Sequence, residues 1–527
     1  MSEGSHSIRR KVGLASLIMM TSVFLSRIIG LAREMVIAYI GGTGGDVDAY
    51  QVAFMVPEIL NHILASGFLS ITFIPIFAGY LVRNEDEAGW RVFSLVITCF
   101  GALLLILTAL AMFYAPELIG LAGFRSQQLN ASAVRMARII IPAQFFFFVG
   151  GIMMAVQFAK EKFLIPALAP LIYNAGIIAG GLILSPWLGM EGFSWGVLGG
   201  AVLGNFVVQI FGARNVGMRF RICFQFRHPD LKKYVLLTLP LMLGLTMTFS
   251  TELFYRLFGS YLPPGSVSSL NYSLRIMYVL VGIFGQAAGV ASYPFLARLL
   301  AENRIRETTL LLDNTLRFIL LVIPFSVLLI VLRYEVVLLI FQRGRFDAAA
   351  TSMTSDVLAF ILLGTVGFAA QTVVSRGYYA SQNTLLPAVF GTIAVIASIP
   401  VYILGMKWMG VTGVALGLSI SAVFQAGLLY ILWNRRIGSR EGGKMAVYLL
   451  KIILLSLALG AILQGFHQAL AAWLDITSLG GSLGVVLLTG ILFLILLISS
   501  SRFLGIEEVK NLLNRMVLGL KKRFVAG

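Results

Sequence analysis

Fourteen times along this chain a run of about 20 or more largely apolar residues is closed by a short polar interruption. A stretch of ~20 apolar residues crosses the hydrocarbon of a bilayer as a helix, and inside lipid only helices and closed barrels satisfy their own backbone groups. The runs fall near 13–40, 48–82, 92–114, 132–158, 163–184, 192–213, 234–259, 265–297, 311–332, 354–380, 385–406, 410–434, 445–466 and 480–501. They predict an all-α polytopic membrane protein. A composition of 58% hydrophobic against 12% charged residues excludes a soluble core, which cannot bury so much apolar surface.

The formal charge of +17 invites a nucleic-acid reading, so the placement of the basic residues decides. With the N-terminus on the cytoplasmic side, 26 of the 40 lysines and arginines fall in inner loops and termini, from Arg9, Arg10 and Lys11 to Lys521, Lys522 and Arg523. Outer loops hold Arg125, Arg333, Arg343, Arg345 and Lys407 alone. This is the positive-inside distribution; it puts both termini in the cytoplasm and leaves nucleic acid with nothing to explain. The first apolar run is too long for a signal-peptide core and carries Arg27, Arg33 and Glu34, so it is expected to stay as the first helix. Cys99 and Cys223 lie far apart, and the four histidines have no ligand spacing; neither metal nor another cofactor is expected.

No connector is long enough for a soluble domain, the longest inner one running from about Arg214 to Lys233. Catalysis outside the membrane has nowhere to sit. An internal repeat is visible instead. Tyr50, Met55, Ala65 and Gly67 recur as Tyr272, Met277, Ala287 and Gly289; Leu164-Ile165-Pro166-Ala167 recurs as Leu385-Leu386-Pro387-Ala388; and Gly196-Val197-x-Gly199-x-Ala201 recurs as Gly410-Val411-x-Gly413-x-Ala415. Six helices per copy, an even number, give both copies one orientation, related by an axis along the membrane normal, and two such bundles are expected to enclose a central cavity. The expected divisions are a first six-helix bundle over 1–233, a second over 234–440, and two extra helices with a basic cytoplasmic tail over 441–527.

Ionisable groups inside a membrane are costly, at least ~2.5–3.5 kcal/mol each at mid-bilayer, so each is a candidate for function. The first helix carries Arg27, Gly30, Arg33 and Glu34. Arg27 and Glu34, seven apart, share a face; Arg33 points about 120° away unless Gly30 bends the segment. The plain alternative is that Glu34 neutralises one of the arginines. The second helix carries Glu58, His62 and Ser66 at four-residue spacing, with Asn61 alongside and Pro57 at a kink. That stripe reads equally as cavity lining and as helix-to-helix hydrogen bonding. Arg275, with Asn271 a turn before it, has no acidic residue within one turn and is expected to meet an anion brought by a ligand. Glu252 and Arg256, four apart, are expected to neutralise each other. Arg135, Arg138, Asp313 and Arg317 read as anchors or pairs near the interface.

Several stretches then resemble a known family. They are Ser26-Arg27-Ile28-Ile29-Gly30-Leu31-Ala32-Arg33-Glu34; Asp48-Ala49-Tyr50 with Ala53-Phe54 and Pro57; Phe73-Ile74-Pro75; Phe163-x-x-Pro166-Ala167-x-Ala169-Pro170-x-x-x-Asn174; Gly265-Ser266-Val267-Ser268 with Tyr272 and Arg275; Phe341-Gln342-x-Gly344-x-Phe346; and Tyr378-Tyr379-Ala380-Ser381-Gln382-Asn383 with Pro387. Together they are similar to the MurJ (MviN) lipid II flippases of the MATE-like exporter superfamily. The resemblance implies a transporter rather than an enzyme, in the bacterial inner membrane, carrying an undecaprenyl-diphosphate-linked disaccharide pentapeptide from the inner to the outer leaflet. It implies a cavity set of Arg27, Arg33, Arg275 and Asp48; the reading of the polar residues adds Asn61 and His62 to the expected substrate-binding residues, with Glu34, Glu58, Ser66, Gly30, Glu252 and Arg256 in support. The extra two helices resemble the family's lipid-tail groove. The partners expected are a lipid-linked anionic glycan and membrane lipids, with the chain acting as a monomer.

The chain departs from the family pattern where Asn61 and Ser66 stand in place of an arginine and a glutamate, where His62 replaces a second basic residue, and where Leu274 replaces an acidic one. Two alternatives stay open at this point: a flippase for another polyprenyl-linked glycan, and a cation-coupled drug exporter, which would need a carboxylate-centred ion site.

Overall fold

A computed structural model describes residues 3–63, 66–124, 126–242, 247–381, 383, 385–437, 442–504 and 508. Every regular element among them is helical, as a chain that must satisfy its backbone within lipid requires. Ten helices among the described residues are long and apolar enough to cross a membrane, and an eleventh span is the pair Ala348–Leu362 and Thr365–Ala380, bent by 45°. These account for eleven of the fourteen expected segments. The other three, the first, second and seventh, include residues outside the described ones. Helix Glu3–Gly41 carries three charges between residues 27 and 34. Within the second segment Gly45–Ala53 and Met55–Ile63 are separate helices, while helices Ser66–Val82, Pro229–Met242 and Met247–Ser260 border residues outside the described ones. Pro57 has no N–H to offer the carbonyl of Ala53, and helix Gly45–Ala53 ends there.

The chain forms two compact units that do not divide at one point. The first comprises Met1–Gly244, Thr248–Ser268 and Arg343–Phe346; the second comprises Leu245–Met247, Ser269–Gln342 and Asp347–Gly527.

In the first unit helices Leu164–Leu188 and Glu191–Gly200 form a hairpin turning at Gly189, whose φ of +56° suits glycine. The two backbones touch. A Cβ on Gly180 would lie 2.4 Å from the Cα of Gly196, and one on Gly200 would lie 2.7 Å from the carbonyl oxygen of Tyr173. This is small-residue packing, which membrane helices use because lipid provides no hydrophobic drive between them. An aromatic core of Phe73, Phe77, Trp90, Phe93 and Tyr234 joins Ser66–Val82, Asp86–Phe113 and Pro229–Met242, with Phe77 and Trp90 edge to face at 5.0 Å.

The second unit repeats the hairpin. Helices Leu385–Met409 and Val411–Ile437 turn at Gly410 (φ +62°), and a Cβ on Gly413 would lie 1.9 Å from the carbonyl oxygen of Gly405. Of the repeated motif, Gly199 meets nothing, while Gly196 and Gly200 in one unit and Gly413 and Gly417 in the other make the close contacts. Behind this hairpin Tyr378 donates from its hydroxyl to the Leu429 carbonyl at 2.9 Å and sits edge-on to buried Trp433. Helices Gly442–Ala471 and Leu479–Leu504 form an outer hairpin on the same unit, held where Phe325 meets Phe493 at 5.1 Å and where Gly460 lies close against Val327.

Candidate functional site

Three polar clusters lie within the first unit. The first forms where helix Glu3–Gly41 packs on helix Leu164–Leu188. Asn174 donates its side-chain amide to the Pro170 carbonyl at 2.8 Å, one turn back, which leaves its oxygen to accept from Arg33 at 3.1 Å. The same guanidinium donates to Glu34 at 2.5 Å, and Glu34 is almost wholly buried. Arg33 and Glu34 therefore form a neutral pair, the plainer of the two sequence readings. Arg27 lies two turns away on the exposed side of the helix, with no hydrogen bond or ion pair among the described residues. Gly30 lies between them with open space on its Cα, and the helix runs unbroken through it.

The second cluster links segments almost 200 residues apart. Arg256, 2% exposed, donates through one nitrogen to Glu58 and through another to Glu252 at 2.9 Å, and it lies against the Phe54 and Tyr255 rings. The four-residue spacing accounts for Glu252; nothing local could have announced Glu58. One turn from Glu58, the His62 ring stacks on Phe249 with centroids 4.0 Å apart, and Asn61 is exposed. The side chain of Ser66, the last member of the expected stripe, lies outside the described residues.

The third cluster is built on Asp48. Its two carboxylate oxygens accept from the backbone N–H groups of Gly265 and Ser268, each at 2.7 Å. These are at the head of helix Ser266–Val281, where N–H groups lack intrahelical acceptors. Asp48 thus caps a helix more than 200 residues away, and the negative charge suits the positive end of the helix dipole. Nearby, the Arg345 N–H donates to the Tyr39 carbonyl at 2.9 Å. Gly344 (φ +61°) and Gly42 (φ +64°) make this approach feasible, since a Cβ on either would lie within 2.5 Å of the facing carbonyl oxygen.

In the second unit, Arg275 is half-buried on helix Ser266–Val281, its guanidinium 6.0 Å from the Tyr278 ring, next to buried Leu274 and one turn from buried Asn271. The anchoring residues also have partners: Arg135 pairs with Glu191 at 2.7 Å, Arg138 donates to the Met112 carbonyl, and Asp313 accepts from Tyr430 at 2.8 Å. Sequence reasoning passed over Asn174 as a partner and Phe249 as the stacking surface for His62. The Pro170-x-x-x-Asn174 spacing was the available signal for the first.

A family model described as "Lipid II flippase MurJ" matches residues 37–484. The chain belongs to that family. A probable lipid II flippase MurJ of Haemophilus influenzae is 27% identical over 469 residues, 85% of this chain and 91% of the relative. The lipid II flippase MurJ of Burkholderia cenocepacia is 27% identical over 423 residues, 78% of this chain and 82% of the relative. Among solved structures, a lipid II flippase MurJ in an inward closed conformation superposes with a TM-score of 0.76 at 25% identity, over 93% of this chain and 99% of that one. A multidrug resistance MATE family transporter in an inward-facing conformation superposes with a TM-score of 0.66 at 15% identity, over 78% of this chain and 94% of its own, a likeness of fold. As a member of a flippase family the chain is a multi-pass membrane transporter and not an enzyme. Arg27, Arg33 and Glu34 lie ahead of the matched range.

Proposed function

We propose that the chain carries lipid II from the inner to the outer leaflet of the bacterial cytoplasmic membrane by alternating access, with both termini in the cytoplasm. Family membership supports the cargo, and the distribution of basic residues supports the orientation. The observation that carries the reading is Arg27, a guanidinium exposed on a bilayer helix, without a carboxylate among the described residues. Such a charge costs free energy wherever no anion meets it. A diphosphate supplies that anion, and the planar fork of arginine binds two of its oxygens together.

Arg33 and Arg275 complete the proposed cationic set. Arg33 is already half-committed to Glu34, so a diphosphate would share it rather than claim it. Asn61 and His62, at the end of helix Met55–Ile63, are proposed to line the path of the head group, with Glu58, Glu252 and Arg256 fixing that helix from behind. Asp48 belongs to the same set through its hold on residues 265–268: releasing that cap is the step we assign to it when the transporter changes state.

The test is complementation of a bacterium depleted of its own lipid II flippase. The chain should restore growth, and Arg27→Ala should abolish rescue while its membrane level stays near normal; Arg27→Lys should rescue poorly. Rescue by Arg27→Ala at full strength would remove Arg27 from the cargo site.

A further inference from the structure

Outside these clusters, the described part of the second unit sets a buried carboxylate against a part-buried histidine ring. Glu335, on the short helix Arg333–Phe341, is 0% exposed, and its Oε1 lies 2.7 Å from Nε2 of His467, near the end of helix Gly442–Ala471. The other carboxylate oxygen and the other ring nitrogen, Nδ1, are both buried without a hydrogen-bond partner among the described residues. A structural salt bridge normally satisfies those positions; here they are left open, and the partner of the carboxylate is the one side chain that ordinarily exchanges a proton between about pH 5 and 8.

We propose that Glu335 and His467 form a proton-binding site, holding one exchangeable proton between them, and that this proton fastens the outer hairpin to the second unit. With the proton present, the pair is neutral overall, as carboxylate with imidazolium or as carboxylic acid with imidazole. Without it, a carboxylate at 0% exposure faces a neutral ring, an uncompensated buried charge. The fastening is therefore complete at low pH and lost as pH rises through the range in which the site gives up its proton.

The other charged groups on the helices around this site lie elsewhere: on helix Ile305–Leu320, which packs on helix Gly442–Ala471, Asp313 accepts from Tyr430 and Arg317 lies over the ring of Tyr448, far along the helix from His467. On the short helix that carries Glu335, Arg333 donates to the Ile330 carbonyl and Tyr334 is the neighbouring residue. On helix Ala348–Leu362, Asp356 is exposed, and Asp347 at its head accepts from the Ala350 N–H. On helix Gly442–Ala471, Lys451 is sixteen residues from His467, roughly 24 Å along the axis, and Lys444 and Tyr448 are farther. Asp475, in the turn that follows, is exposed and held below the usual carboxylate range by the Thr477 hydroxyl and N–H. Helices Val322–Val331 and Leu479–Leu504 bring no titratable group among the described side chains.

The experiment uses the full chain in lipid nanodiscs without cargo, so its outcome is independent of what is carried. Nitroxides on exposed Ile462 and Ile396, in a background where Cys99 and Cys223 are serine, report the distance from the outer hairpin to the rest of the unit by pulsed electron resonance from pH 5.5 to 8.5. The expected result is one docked distance at low pH and a second, longer population that grows with pH. In Glu335→Gln, which keeps a hydrogen bond to neutral imidazole and carries no charge, the docked distance should persist throughout. A distribution that ignores pH in the parent, or a transition that survives in Glu335→Gln, overturns the proposal. If Glu335→Gln fails to fold, the ring resonances of His467 in the parent decide: titration together with the distance change supports the site, and a single protonation state across the range overturns it.

Discussion

Arg27 and Arg33 stand six residues apart on one helix, and their surroundings separate their roles. Sequence grouped them; burial and pairing divide them. Arg33 neutralises Glu34, which is buried. Removing one partner of a buried pair leaves the other charge uncompensated, at a cost of about 3–5 kcal/mol. Arg33→Ala should therefore lower the thermal unfolding temperature and the amount of protein in the membrane, and adding Glu34→Gln should recover much of that loss without restoring transport. Arg27→Ala should leave both unchanged. Equal losses of protein in the two single variants would contradict the division. The charged residues themselves were legible, because intramembrane charges stand out in apolar sequence. Their partners were not: Glu58 meets Arg256 across 198 positions, and no local spacing encodes that distance.

Among the elements, the long apolar spans and the glycine-packed hairpins could be read from hydropathy and from the repeated Leu-x-Pro-Ala and Gly-Val-x-Gly motifs. The divided second segment could not. The helix break at Phe54 depends on what the freed backbone groups meet, and hydropathy averages over it. Asp48 is the clearest case. Its family stretch and the Gly265-Ser266-Val267-Ser268 stretch looked like separate motifs, and the fold makes them two halves of one helix cap. Asp48→Ala strands two backbone N–H groups, each worth about 1–3 kcal/mol when buried and unsatisfied. Asp48→Asn keeps one good acceptor and should lose roughly half as much. Thermal unfolding of both variants in nanodiscs checks the order; equal stability of Asp48→Ala and the parent would show that the cap contributes nothing to this state.

At the scale of the whole molecule, the orientation proposed from the positive-inside asymmetry and from an expected even helix count is one that labelling can test directly. Single cysteines at Gly44 and Gly442, in a background without Cys99 and Cys223, should react with an impermeant reagent from opposite sides of the membrane, Gly44 from outside. Reaction from one side would break the helix count. The second claim at this scale is that the two units work together as a flippase for an anionic lipid-linked glycan, and family membership is what extends the local chemistry of Arg27 that far. The most direct measurement is leaflet exchange. The purified full chain, reconstituted into liposomes with fluorescent lipid II in both leaflets, should expose the inner pool to an impermeant quencher many times faster than protein-free liposomes do, and Arg27→Ala should reduce that rate to the protein-free level while reconstituting equally well. Exchange no faster than in empty liposomes, under a membrane potential or an ion gradient of either sign, would contradict the account.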